Sequence, residues 1–322
     1  MTDIRILYAD EIRTLAPLDA AAIDLIADGF VRLAAGEVHQ PPVLSLELPE
    51  VEGELDVKTA YVPGWDSFCL KVSTGFFGNP AVGLPSASGL MILLSAQTGV
   101  PLALLLDGGY LTDLRTALAG AVAARALARA DATHAAIIGA GAQARWQLRA
   151  LQLVRPIENV SVWARDRRKA AAFASTMTAE TGLQIIAHDD VAGAVEGADV
   201  VITATPAREP LITVEMLNSG VHVTAMGSDG AGKRELEHNV MLAADVVVVD
   251  DPKQSRSIGE LQGIALPAEG GPDAVPLGDV LAGRRQGRAN DDQVTICDLT
   301  GTGVQDTVIA RWVWNRSTTW RP

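Results

Sequence analysis

Between residues 134 and 250 the apolar positions fall in short unbroken runs, at 135–138, 160–163, 184–187, 200–203, 221–225 and 246–249. Runs that are apolar throughout, rather than alternating, are strands buried on both faces, as in a parallel sheet covered by helices. In HAAIIGAGAQARWQLRAL, residues 134–151, the period changes from such a strand to a helix that runs to about residue 154. A second helix fits residues 167 to about 181, and helical or glycine-rich connections separate the remaining runs. That order predicts a doubly wound α/β sheet. Residues 1–118 read differently: a helix from 20 to about 35, closed by Gly36, then strands at 43–48, 55–62, 68–73, 90–95 and 102–106. Their short turns of Gly, Pro and Asn predict a largely antiparallel sheet. An alanine-rich helix over 114–129 leads into the parallel part, and the helical pattern GTGVQDTVIARWVWNRS after Leu299 is expected to pack back onto the first part. We therefore expect a smaller α+β domain, 1–118 with 300–322, into which a Rossmann-type domain at 119–299 is inserted, with a crevice between them.

The strand-to-helix turn carries the first chemistry. Its first small residue, Gly139, permits a tight reversal, Gly141 lets backbone N–H groups approach a pyrophosphate, and Ala144 lets helix pack on strand. In a chain with 30 glycines the same spacing also occurs as a tight turn without a ligand. Two later strands end in ITATPAREP and TAMGSDGAGK, and ligands of open parallel sheets lie outside the carboxyl ends of strands, which favours the nucleotide reading. The net charge of −13 opposes binding to nucleic acid or an anionic membrane. No apolar run reaches the ~18 residues of a membrane span. The opening MTDIRILYADEIRTL lacks the succession of a signal peptide. Cys69 and Cys297 read as free buried thiols, and a cytoplasmic protein is expected. The five histidines lack metal-ligand spacing, so no metal is expected.

The segments YLTDLRTALAGAVAA, GAGAQA, GSDGAGKRELE and CDLTGTGVQD stand in that order. Together they resemble the ornithine cyclodeaminase/mu-crystallin family, which includes archaeal-type alanine dehydrogenases and imino-acid reductases. The resemblance implies a homodimer formed through the outer domain and chemistry on the carbon–nitrogen bond of a small amino or imino acid. The implied cofactor is a nicotinamide nucleotide, NAD(H) or NADP(H). Lys71 in FCLKVST matches the lysine that meets the substrate carboxylate, and Arg115 in DLRTA an arginine near substrate and cofactor phosphate, with Thr116 its neighbour. Asp229 matches the acid/base residue of cyclodeaminases, and we place it with Lys71 in the catalytic set; Lys233 lies near the cofactor. The same carry-over assigns Ser86, Gly139, Gly141, Ala142, Gln143, Arg165, Thr203, Thr205, Met226, Gly227 and Ser228 to the cofactor and Thr300 to the substrate. The physical chemistry agrees. A carboxylate substrate needs a fixed cation, and an imine accepts hydride better once its nitrogen is protonated beside a carboxylate. Lys71 in an apolar strand is costly to bury unpaired.

Two departures from the family bear on substrate. Where relatives carry a cation in the segment matching QPPVLSLEL, this chain has Val43, and Lys58 stands where an apolar residue is usual. Period-two spacing puts Asp56, Lys58 and Ala60 on one face. Lys58 then either joins Lys71 and Arg115 in a cation cluster or is a solvated residue paired with Glu54 or Asp56. The cluster reading favours reduction of a dicarboxylic imine, iminosuccinate to L-aspartate. The alternatives are cyclodeamination of a diamino acid and a non-catalytic ligand-binding role of the mu-crystallin kind, against which the retained Asp229 argues. At the end of the second strand of the turn domain, Ala164 replaces the carboxylate that usually selects NAD, with Arg165, Arg167 and Arg168 nearby. Arg165 could meet a phosphate or stack on adenine, and Asp166 could turn to the ribose. We expect both NADH and NADPH to be accepted, with NAD(H) alone as the alternative.

Overall fold

In the computed structural model, which describes residues 4–319, the alternating and the unbroken apolar patterns form two separate sheets. One unit comprises the chain up to Arg115 and again from Thr302; the other is Thr116–Gly301.

The first unit holds β1 (Arg5–Tyr8), α1 (Ala9–Leu15), α2 (Ala20–Ala34), β2 (Leu44–Leu48), β3 (Gly53–Ala60), β4 (Ser67–Phe76), β5 (Ala87–Ser95) and β6 (Pro101–Leu106). The sheet order is β1-β6-β5-β4-β3-β2. All neighbours are antiparallel except β1 with β6. The segment RILY was not expected as a strand, because its partner β6 lies about a hundred residues away and no hairpin turn marks it. Helix α3 (Tyr110–Leu127) crosses the boundary between the units. It begins earlier than the apolar pattern suggests. Asp107 accepts a hydrogen bond from Leu111 N–H at 2.7 Å, and Gly108 and Gly109 take the positive φ values of the turn before it. The last helix of the chain, numbered α10 below (Gly303–Thr319), packs on β3, β4 and α2, as its apolar pattern predicts.

The second unit contains β7 (His134–Ile138), α4 (Ala142–Gln152), β8 (Asn159–Trp163), α5 (Arg167–Thr181), β9 (Gln184–Ala187), α6 (Val191–Val195), β10 (Val200–Thr203) and β11 (His222–Ala225). It continues with α7 (His238–Ala243), β12 (Val246–Val249), α8 (Pro252–Ile258), β13 (Val275–Pro276), α9 (Leu277–Leu281) and β14 (Thr295–Asp298). These strands form one parallel sheet in the order β13-β12-β14-β11-β10-β7-β8-β9. It is the doubly wound Rossmann-type α/β sheet that the unbroken runs predict. Ala136, Ile138, Val201, Val223, Val247 and Ile296 are buried in its core, which explains why these strands are apolar on both faces. Among the described residues no helix is long and apolar enough to cross a membrane, and no His/Cys/Asp/Glu group could hold a metal ion.

Candidate active site

In the first unit the inward face of the sheet reads Lys58, Lys71, Met91, Leu105, Leu7 across five neighbouring strands, by direct cross-strand pairing. All five are buried. Two lysines directly opposite one another in such a setting repel, so the arrangement needs an anion. One is supplied by Asp306 in the first turn of α10, whose Oδ2 lies 3.2 Å from Lys71 Nζ and whose Oδ1 lies 3.1 Å from Arg115 Nε. Asp306 is fully buried. These contacts close at ion-pair distance, although neither reaches hydrogen-bond alignment. Burial is the main cause that pushes the Lys71 ammonium down to about 7; the charges of Arg115 and Lys58 push the same way and Asp306 opposes them. The cluster therefore joins β3, β4, α3 and α10. Lys58 is buried rather than solvated, and Asp56, one of its two expected partners, accepts from Ser45 Oγ at 2.5 Å.

In the second unit Gly139 has φ of +123°, and a Cβ there would stand 2.6 Å from the Ala204 carbonyl oxygen. Both facts require glycine. Gly141 caps α4 without a side-chain hydrogen bond, and a Cβ added to it would meet nothing within 4 Å. Gly141 and Ala142 are exposed, so the first N–H groups of α4 face open space of the kind a pyrophosphate fills. Ala144 is buried beneath them. Gln147 donates to the Thr116 carbonyl at 2.9 Å, and Gln143 lies one turn before it.

The loops after β10 and β11 are tied by Glu235, a residue not singled out in the sequence although it lies within GSDGAGKRELE. Its Oε1 accepts from Thr205 N–H and Oγ, each at 2.7 Å; its Oε2 accepts from Gly227 N–H at 2.7 Å and Thr203 Oγ at 2.6 Å. Burial raises its pKa against the pull of those four donors. Three more buried carboxylates serve the neighbouring loops. Glu260 accepts from Glu235 and Leu236 N–H, Asp298 from Glu260 N–H and Ser255 Oγ, and Asp250 from Asp251 N–H, Gly301 N–H and Thr300 Oγ. Desolvation lifts Glu260 to about 7, Asp250 to about 6, and Asp298 well above the ordinary range.

The hydroxyls of Thr203, Ser228 and Thr300 are buried and bonded internally, to Glu235, to the Lys233 carbonyl and to Asp250. Thr205 is half-buried, Met226 buried, and Ser86 exposed ahead of β5. Asp229 stands half-exposed on the loop after β11, 2.9 Å from Lys233 Nζ. At the end of β8, Ala164 is buried and Arg165 exposed. Asp166 does not turn inward: it caps α5 by accepting from Arg168 N–H at 3.0 Å and pairs with the Arg168 guanidinium.

Residues 3–319 match the sequence model of the ornithine cyclodeaminase/mu-crystallin family. An uncharacterized cyclodeaminase of Sinorhizobium fredii is 49% identical, over 98% of this chain and 97% of its own. Among solved structures, an archaeal alanine dehydrogenase dimer with bound NAD superposes with a TM-score of 0.88 at 33% identity, covering 98% of this chain and 96% of that one. The iminosuccinate reductase of Paracoccus denitrificans in complex with NAD+ gives 0.86 at 29% identity, covering 98% and 97%.

Proposed function

The chain belongs to the ornithine cyclodeaminase/mu-crystallin family, and from that premise we propose that it reduces a small dicarboxylic α-imino acid, best matched by iminosuccinate, to the L-amino acid with NAD(H). The observation that carries this reading is the buried patch of Lys58, Lys71 and Arg115, more cationic than a single carboxylate requires. Lys71 and Arg115 hold the α-carboxylate, Arg by a planar fork and Lys as a point charge, and Lys58 receives the second carboxylate. The Gly139 to Ala142 backbone fits a pyrophosphate because a ligand there meets neither a side chain nor a capping group. When bound, the nicotinamide supplies the hydride that a protonated imine carbon accepts. We assign the acid/base role to Asp229, which pairs with Lys233: a carboxylate beside an imine nitrogen favours its protonated form and can exchange its proton. Because Asp166 is engaged by α5 and Arg168, no carboxylate of this strand end is set against a 2′-phosphate, and NADP(H) is accepted as well.

The opposite face of the first sheet presents Leu44, Val57, Val72 and Leu90 in one row and Ile6, Leu104, Ile92 and Leu70 in another. Leu44, Leu46 and Ile6 are exposed. A second copy of this chain covers that face, in keeping with the dimer of the archaeal relative. Light scattering should give a dimer that Leu46→Lys dissociates; a wild-type monomer contradicts the assignment.

The test of function is consumption of NADH when the protein meets imines formed from 2-oxo acids and ammonia. Oxaloacetate with ammonia should be the best pair and yield aspartate. The similarity to a named cyclodeaminase favours one competing outcome: ammonia release from ornithine without net cofactor oxidation. That result, or tight binding without turnover, would overturn the reductase reading.

A further inference from the structure

Asp306 faces Lys71 and Arg115 from a helix that begins some 190 residues after Arg115, and its place is built rather than incidental. The first turn of α10 is fixed at three points. Gly303 N–H donates to Gln40 Oε1 at 3.1 Å, Thr307 Oγ donates to the Ala60 carbonyl at 2.8 Å, and Thr307 Oγ accepts from Cys69 N–H at 3.1 Å. The helix enters so close to β3 that a Cβ at Gly303 would collide with the Thr59 carbonyl oxygen, next to Lys58 in the strand. Only glycine permits that approach. The helix N-terminus also favours a carboxylate in its first turn. Asp306 thus stands rigidly between a strand and a helix that each bring one cation, and its contact to Arg115 engages Nε rather than the terminal fork that grips a carboxylate in two places.

We propose that Asp306 is a positioning residue for substrate recognition, the resident counter-ion that keeps Lys71 charged and holds Lys71 and Arg115 aimed so that an incoming carboxylate finds both. This rests on reading the cluster as the carboxylate site. The charged groups around Lys71 are Lys58 from β3, Arg115 from α3 and Asp306 from α10, with Asp107 buried at the end of β6. Of those acting on Lys71, only Asp306 favours its protonated form; burial, Lys58 and Arg115 oppose it. Removing the Asp306 charge therefore lowers the pH at which Lys71 loses its proton. A carboxylate ligand senses that loss directly, because affinity falls by up to about tenfold per pH unit once its ammonium partner titrates.

The test uses succinate, a dicarboxylate with no reducible bond, titrated calorimetrically into the whole protein between pH 6 and 9. Wild type should bind it with an affinity that begins to fall near pH 7. Asp306→Asn should bind about threefold more weakly at pH 6.5, approaching tenfold at higher pH, and begin to fall about one pH unit lower. Asp306→Glu, which keeps the charge, should recover the wild-type onset with a smaller loss of affinity. Cooperative melting and NADH binding are measured on the same samples, so misfolding is distinguished from lost recognition; should Asp306→Asn fail to fold, the onset in Asp306→Glu against Asp306→Gln decides. An unmoved onset in the charge-removing variant, whatever its affinity, would overturn the proposal and leave Asp306 a packing residue. Wild type that binds neither succinate nor propionate would instead overturn the reading of the cluster as a carboxylate site, and this proposal with it.

Discussion

The two units bury charge in opposite ways. In the Rossmann-type unit the buried ions are carboxylates, Glu235, Asp250, Glu260 and Asp298, each accepting backbone N–H groups of the loops at the carboxyl ends of the strands. Their hydrogen bonds hold the backbone in shape, so they are scaffold. In the first unit the buried ions are mainly cations, Lys58, Lys71 and Arg115, the last two paired with Asp306. Carboxylates can be buried at a loop frame because backbone amides satisfy them; lysines clustered in a strand ladder are satisfied by anions. On the proposed function, the difference separates charge that shapes loops from charge that reads a ligand.

Asp229 is the sharpest exception, a half-exposed carboxylate on the same loop as the buried Glu235. Asp229→Asn should leave NADH binding intact and lower turnover by about two to four orders of magnitude, the range of an acid/base group. Unchanged turnover would class it with the scaffold. The next largest effect concerns stability. Asp250 and Glu260 have folded pKa values raised to about 6 and about 7, so the folded second unit binds more protons than its unfolded chain in the range above their ordinary values. Their stabilisation is present at low pH and is lost as pH rises through about 6 to 7. Lys71 has its value lowered to about 7, so its penalty on the first unit is full below that pH and fades as pH climbs toward 10.5. Hydrogen exchange followed region by region should show the β12 and β14 amides losing protection between pH 4.5 and 7, by on the order of 2 kcal/mol, and the β4 amides gaining it above pH 7. The same trend in both regions would erase the contrast.

Glu235 gives a smaller and more pointed effect. Each of its oxygens accepts one backbone N–H that cannot reverse its polarity. Glu235→Gln must then set an amide N–H against either Thr205 or Gly227, and should weaken NADH about tenfold, close to the loss in Glu235→Ala. Full activity in the glutamine variant would show that the loops do not depend on the carboxylate. Smallest is Arg165→Ala, expected to change the specificity constant for NADPH a fewfold. A matching loss with NADH would indicate stacking on adenine, and no change with either would remove Arg165 from the cofactor site.

The parallel strands and the glycine turn were legible because their causes are local: β-branched runs, and a positive φ at Gly139 that one residue type supplies. The helix over 167–181 was legible for the same reason, with Asp166 as its cap and Gly182 beyond its end. Asp306 and Glu235 lie within recognisable motifs, but nothing near them in sequence shows that Lys71, Arg115, Thr205 or Gly227 folds against them. Thr203, Ser228 and Thr300 stand beside the relevant loops but turn inward, a distinction of side-chain direction that position alone does not carry. The pairing of Lys58 with Lys71 followed from strand register, which needed the turn at Val62–Trp65 to be placed correctly.

The central claim is that the cation patch reads two carboxylates. It is tested most directly by the ratio of kcat/KM for the imine of oxaloacetate to that for the imine of pyruvate, in wild type and in Lys58→Met. The account predicts a wild-type ratio of about a hundred or more that falls at least about tenfold on replacement of Lys58, the loss of one charge-assisted contact. A wild-type preference for the monocarboxylate, or an equal loss with both substrates in Lys58→Met, would contradict it.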